Sequence, residues 1–363
     1  CQRGDPLREG APLHFEKIPN RFVLSFGILI FGSWEFSMLI LISIIMGILP
    51  MLVYALFIWW LDRWEKEPLH LIGAAFLWGF IPSAIFALIA QVILNIPVAA
   101  VIGEDNLAFE LYSGSIIAPL TEEGIKGFAV FLIFIFFYKE FDSVMDGIVY
   151  GSLVGFGFAA IENILYFISA SDDAAGLGCL IILRAFLFGL NHAFFTSLTG
   201  IGFALARYRR NILLKMILPL IGLSAAMMMH ALHNAFATFG LYGLPFAFLS
   251  DWMGIIGVGI IALISLYNEG KWLKQYLADE VSLGTLTAQQ AETASSFFRF
   301  GADFGSFFVN PIRWWRLSDF HHKCAELAYK KHQMAKMGNE FGNRSEIEKL
   351  RVKVSELSGQ VER

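Results

Sequence analysis

Apolar residues recur in blocks too long for soluble helices, and short polar stretches separate them. Runs at about 36 to 61, 68 to 94, 109 to 137, 144 to 170, 178 to 205, 212 to 239 and 245 to 267 each reach the roughly 20 residues a helix needs to cross hydrocarbon. The pattern predicts an all-α, polytopic membrane helical bundle of about seven transmembrane helices. Residues 1 to 35 read as an irregular arm followed by an interfacial segment, 36 to 267 as the transmembrane domain, and 268 to 363 as a soluble, partly helical tail. In that tail Ile347, Leu350, Val354, Leu357 and Val361 alternate by three and four, a short heptad seam that fits a surface helix or tail-mediated self-association. On the fourth span Gly147, Gly151 and Gly155 form a small-residue stripe of the kind used in close helix packing.

Composition agrees with a bilayer environment. The 363 residues are 56% hydrophobic and 16% charged, with a mean hydropathy of +0.61, and soluble domains carry about a quarter charged residues. The net charge of -4 comes with no long basic run, so no nucleic-acid partner is expected. Cys1, Cys179 and Cys324 show no paired spacing, which argues against a disulfide framework or a structural zinc site. A chain opening on Cys1 reads as truncated or, alternatively, as a processed lipid-modified terminus.

Basic residues set the orientation. Arg63, Lys66, Lys139, Arg207, Arg209, Arg210, Lys271 and Lys274 fall in every second loop, whereas 95 to 108, 169 to 177 and 240 to 244 carry neither Lys nor Arg. The expectation is a multi-pass membrane protein with a cytoplasmic tail.

Against this background Glu122, Glu123, Glu162, His192 and His230 lie deep inside apolar spans. Ionisable groups at that depth cost about 2.5–3.5 kcal/mol each even on lenient scales, so they mark function. Glu122 and Lys126 are four apart and share a helix face; Glu123 is turned about 100° away. Glu162 is followed by Asn163 and has no cation nearby on its own helix, so it must pair elsewhere, bind a metal or stay protonated. His192 with Thr196, and His230 with Asn234, are i,i+4 pairs, and His233 lies one turn from His230. Counted from the outer loops, all these groups lie roughly 12–22 Å along their helices, in one slab.

Four motifs in order carry a resemblance: Glu122-Glu123-x-x-Lys126, Phe158-x-x-x-Glu162, His192-x-x-x-Thr196 and His230-x-x-x-Asn234, with Asp62-Arg-Trp-Glu-Lys-Glu-Pro68 after the first span. Over roughly residues 44 to 268 the chain resembles the PrsW family of intramembrane proteases, within the group that includes the CAAX prenyl endopeptidases. The resemblance implies hydrolysis of a peptide bond in a membrane-anchored protein of the anti-sigma-factor type. Lys126 and Glu162 replace an arginine and a histidine of the prenyl-peptidase branch, which argues against a prenylated substrate.

The chemistry has two routes. A glutamic mechanism needs no cofactor: Glu122 or Glu123 activates water, His192 helps hold it, and His230 with Asn234 stabilises the oxyanion. Alternatively zinc is held by Glu162, His192 and His230 with an open water position. A proton- or cation-coupled transporter and an inactive membrane scaffold are the rival readings. H-E-x-x-H and rhomboid-type G-x-S-G motifs are both missing from the chain.

Overall fold

The computed structural model describes residues 34–170, 174–296 and 310–361. The predicted irregular arm, and the interfacial segment up to residue 33, lie outside them. Among the described residues the fold is helical with no strand. The first span is α1 (Trp34–Leu61), which carries Pro50. The second is α2 (Leu69–Trp78) and α3 (Ala84–Ile102), joined without interruption by a π-helical turn at Gly79–Ser83 that holds Pro82. Proline removes a helical N–H donor, and a wider turn absorbs the loss.

The third span is α4 (Leu107–Tyr112) and α5 (Ala118–Phe136), again joined by a π-helical turn, Ser113–Ile117. Asn106 caps α4 by accepting from the Phe109 amide at 2.9 Å. The fourth span is α6 (Val144–Ser169), opened by a reciprocal capping box between Ser143 and Asp146. Among the described residues six helical runs are long and apolar enough to cross a membrane; the third span is set apart from them by the charges of Glu122, Glu123 and Lys126.

The fifth span departs from the sequence reading. An unbroken helix is predicted at 178 to 205, but the chain forms α7 (Ala174–Ile181), a π-helical turn at Ile182–Leu187, a non-helical step at 188–190, and then α8 (Asn191–Arg207). A Cβ at Gly189 would lie 2.2 Å from the Ala185 carbonyl, so the step depends on glycine. An apolar run without proline gives no hint of such a break. The sixth and seventh spans are α9 (Ile212–Thr238) and α10 (Leu244–Ser282), and α10 continues well past the predicted end at 267.

Helix α6 is central: 89% of its apolar stretch is buried, against 6–33% for the other five apolar runs. Its glycine stripe seats α8 in register. A Cβ at Gly147 would lie 2.4 Å from the Gly200 carbonyl oxygen, one at Gly151 2.6 Å from that of Thr196, and one at Gly155 2.3 Å from that of His192. Two site residues of α8 are therefore placed by backbone contact with α6.

The tail is docked. Helices α11 (Ala288–Ala294), α12 (Pro311–Met337) and α13 (Asn343–Val361) continue the hydrophobic core of the bundle. The predicted seam is used within the chain: Ile347, Leu350, Val354 and Leu357 are buried as α13 packs on α12. Tyr329 donates to Glu269 at 2.8 Å, Gln333 donates to Asp142, and both terminal nitrogens of Arg207 lie 3.2 Å from Glu340. In the 62–68 turn, Glu67 accepts from Tyr150 and Trp64 donates to the Leu266 carbonyl at 3.0 Å.

Candidate active site

Helix α5 supplies Glu122, Glu123 and Lys126, and the two glutamates have different surroundings. Glu123 is fully buried and both its oxygens are engaged: Oε1 with Lys126 and with His230 Nδ1 at 3.1 Å, Oε2 with the Thr196 hydroxyl at 3.0 Å. Glu122 Oε1 accepts from Gln91 Nε2 at 3.1 Å, while its buried Oε2 has no hydrogen-bond partner. That oxygen lies 3.8 Å from His230 Nε2 and 3.7 Å from Lys126 Nζ. A buried acceptor left unmatched is costly, which makes it a candidate contact for a ligand.

Helix α6 supplies Glu162, whose Oε2 lies 2.6 Å from His192 Nε2 and 2.9 Å from Arg184 Nη2. Asn163 Oδ1 accepts from Arg184 Nε at 3.1 Å, and the guanidinium lies 3.8 Å from the Tyr166 ring centroid. The cation that Glu162 lacks on its own helix thus comes from the π-helical turn just before the break. Lys126 Nζ sits 3.2 Å from His192 Nδ1 and 4.2 Å from the Phe158 ring centroid. The His192 and His230 rings stand edge to face at 5.1 Å, and His230 stacks on Phe195 at 4.9 Å.

Two predicted site residues have other bonds. Asn234 donates to the Gly114 carbonyl at 2.7 Å, tying α9 to the π-helical turn of the third span and leaving the second amide N–H of Asn234 outside this bond. His233 turns away to Asp251 Oδ2, 2.7 Å from its Nδ1.

Glu122, His192 and His230 each offer a ligand atom, all within 4.8 Å of one another, and among the described residues they are the group able to hold a metal ion. Two of the three predicted ligands are in it. Glu162, the third, lies outside that group in contact with His192 Nε2, and the carboxylate in the group is that of Glu122. The donor set fits zinc. The unmatched Glu122 oxygen and two imidazoles, each with a carboxylate on one ring nitrogen, are the donor types zinc takes, and Lys126 Nζ stands against the remaining nitrogen of His192.

A family model described as PrsW family intramembrane metalloprotease matches residues 67–265, and all four spans that carry the cluster fall within that match. The chain belongs to the PrsW family. The PrsW protease of Geobacillus kaustophilus is 32% identical over 162 residues, covering 45% of this chain and 65% of that protein. Those of Oceanobacillus iheyensis and Bacillus subtilis are 29% and 27% identical, covering 56% and 58% of this chain and 88% and 90% of theirs. No solved structure matches the chain. The PrsW match ends at residue 265 and so leaves the docked tail outside it.

Gln91, Arg184 and Asp251 escape the motif-based reading. Arg184 and Asp251 are lone charges inside apolar spans, so the rule that singles out the glutamates also points to them.

Proposed function

We propose that the chain hydrolyses a peptide bond in a membrane-anchored protein, with Glu122 carrying the chemistry and Glu123 holding the site together. The carrying observation is the contrast between the two carboxylates: Glu122 Oε2 is buried without a hydrogen-bond partner, and both oxygens of Glu123 are bonded. In this reading Glu122 Oε2 takes a proton from water as the water oxygen attacks the scissile carbonyl. The same proton passes to the leaving amine when the C–N bond breaks. Lys126, beside both Glu122 and His192, supplies positive charge for the developing oxyanion.

The imidazole orientations favour a second form of this reading, in which Glu122, His192 and His230 hold zinc. When bound, zinc would polarise the carbonyl and lower the pKa of water. Glu123 and Glu162 would then fix the ring orientations of His230 and His192. The substrate is a membrane-tethered protein of the anti-sigma-factor type. The tail bonds to Asp142 and Arg207, in or beside loops of the basic set, which supports a cytoplasmic tail.

Metal analysis of purified protein, with cleavage of a membrane-anchored reporter measured before and after chelation, tests the choice. Loss of cleavage on chelation and recovery with zinc is expected; full activity in metal-free protein would overturn the zinc form and leave the glutamic one.

A further inference from the structure

Beyond the cluster itself, one carboxylate has been left without a role. Asp251 lies in α10 about 7 residues from its outer end, or roughly 10 Å along the helix, and its side chain is fully buried. Such a charge inside a spanning segment costs at least about 2.5–3.5 kcal/mol unless it is matched. Its Oδ2 accepts from Asn191 Nδ2 at 2.8 Å and lies 2.7 Å from His233 Nδ1. Asn191 Nδ2 also lies 3.2 Å from His233 Nδ1, so the three side chains form one polar cluster. The acid also stands beside the first residue of α8, the positive end of that helix.

The two partners of this one oxygen are neighbours of the two site histidines. Asn191 immediately precedes His192, and His233 lies one turn beyond His230. Helix α8 begins directly after the non-helical step at 188–190 and has no side-chain cap at its start. The step keeps one backbone bond to the start of α8, Asn191 N–H to the Phe188 carbonyl at 3.0 Å, and the Asn191 side-chain bond to α10 adds a constraint on where α8 begins from outside the fifth span. The Phe195 ring completes the link, 4.9 Å from His230 and 6.2 Å from His233.

We propose that Asp251 is a positioning residue of the hydrolytic site: through Asn191 and His233 it fixes the start of α8 and the outer turn of α9, and so sets the spacing of His192 and His230. This rests on the proposed reading of the cluster. Asp251 touches neither substrate nor metal in this role. It also explains why an acid survives at this depth of the seventh span, outside the four motifs.

The test uses the full chain in lipid nanodiscs, comparing the parent with Asp251→Ala, Asp251→Asn and Glu122→Gln by amide hydrogen–deuterium exchange and by zinc affinity in competition with a chelator. Asp251→Ala is expected to speed exchange over 190–196, leave α6 unchanged, and weaken zinc binding about 10- to 100-fold. Asp251→Asn keeps an acceptor oxygen and should fall between parent and Ala. Glu122→Gln should lose zinc binding with parental exchange over 190–196. Unchanged exchange in Asp251→Ala, or faster exchange with unchanged affinity, would overturn the positioning role. If the parent binds no zinc, the metal reading fails instead. The role is then judged by exchange together with kcat: at least a tenfold fall in Asp251→Ala at constant KM supports it, and an unchanged kcat overturns it. Should Asp251→Ala not fold, Asn191→Ala and His233→Ala each remove one of the two bonds and are scored the same way.

Discussion

Arg184 Nη2 lies 2.9 Å from Glu162 Oε2, joining the π-helical turn before the break in the fifth span to the central helix. The same carboxylate oxygen meets His192, so the arginine acts on the site through Glu162. Arg184→Gln is expected to destabilise the protein by about 3 kcal/mol, the lower end for a buried pair broken on one side, because both groups keep some exposure. Cleavage should fall tenfold or more. Arg184→Lys keeps the charge but not the Nε bond to Asn163, and an intermediate loss is expected. Detergent-unfolding midpoints and reporter cleavage measure the two effects.

Close packing of α6 on α8 gives a sharper expectation. An alanine Cβ at Gly155 would stand 2.3 Å from the His192 carbonyl oxygen, so Gly155→Ala must displace the histidine backbone. Overpacking of this kind costs about 1–3 kcal/mol, and reporter cleavage should fall with it. Gly73→Ala, where nothing lies within 4 Å of the added carbon, should stay within about 0.5 kcal/mol of the parent.

Much of this arrangement is legible in the sequence. The fourth and sixth spans, read at 144 to 170 and 212 to 239, form at Val144–Ser169 and Ile212–Thr238, because apolar length and flanking polar residues dictate them. The meeting of Glu122, Lys126, His192 and His230 follows from spacing and depth. Three things do not follow. The step at 188–190 depends on close packing at Gly189, where a Cβ would meet the Ala185 carbonyl at 2.2 Å and the Tyr54 ring at 3.0 Å, and periodicity carries no trace of it. The different fates of Glu122 and Glu123 depend on which face meets Thr196 and His230 across helices, whereas position alone shows only that the two faces differ. The seam on α13 reads equally as an outer or an inner surface until α12 is seen covering it.

Acidification should tighten the tail's docking. Burial pushes Asp62 up to about 7 against the pull of Lys66, and Asp142 up to about 6 against the pull of Lys330, both from an ordinary value near 3.8. Between about pH 4 and 7 the folded chain therefore binds more protons than the unfolded chain. By linkage, the stability contributed by these two groups falls as pH rises through that window. Lowering the pH from 8 to 5 should raise the unfolding midpoint and slow proteolysis of the tail, and Asp62→Asn should reduce the slope. A midpoint that falls over the same range would contradict this.

The central claim is that the adjacent glutamates divide their labour, and it is tested most directly by reporter cleavage and unfolding of Glu122→Gln and Glu123→Gln in parallel. Glu122→Gln should fold as the parent does and lose cleavage by about a hundredfold or more. Glu123→Gln should lose about 3 kcal/mol of stability, since it removes the nearer carboxylate of the buried Lys126 pair and leaves only Glu122 at 3.7 Å. Parental cleavage by Glu122→Gln, or a stable Glu123→Gln that alone is inactive, would contradict the account.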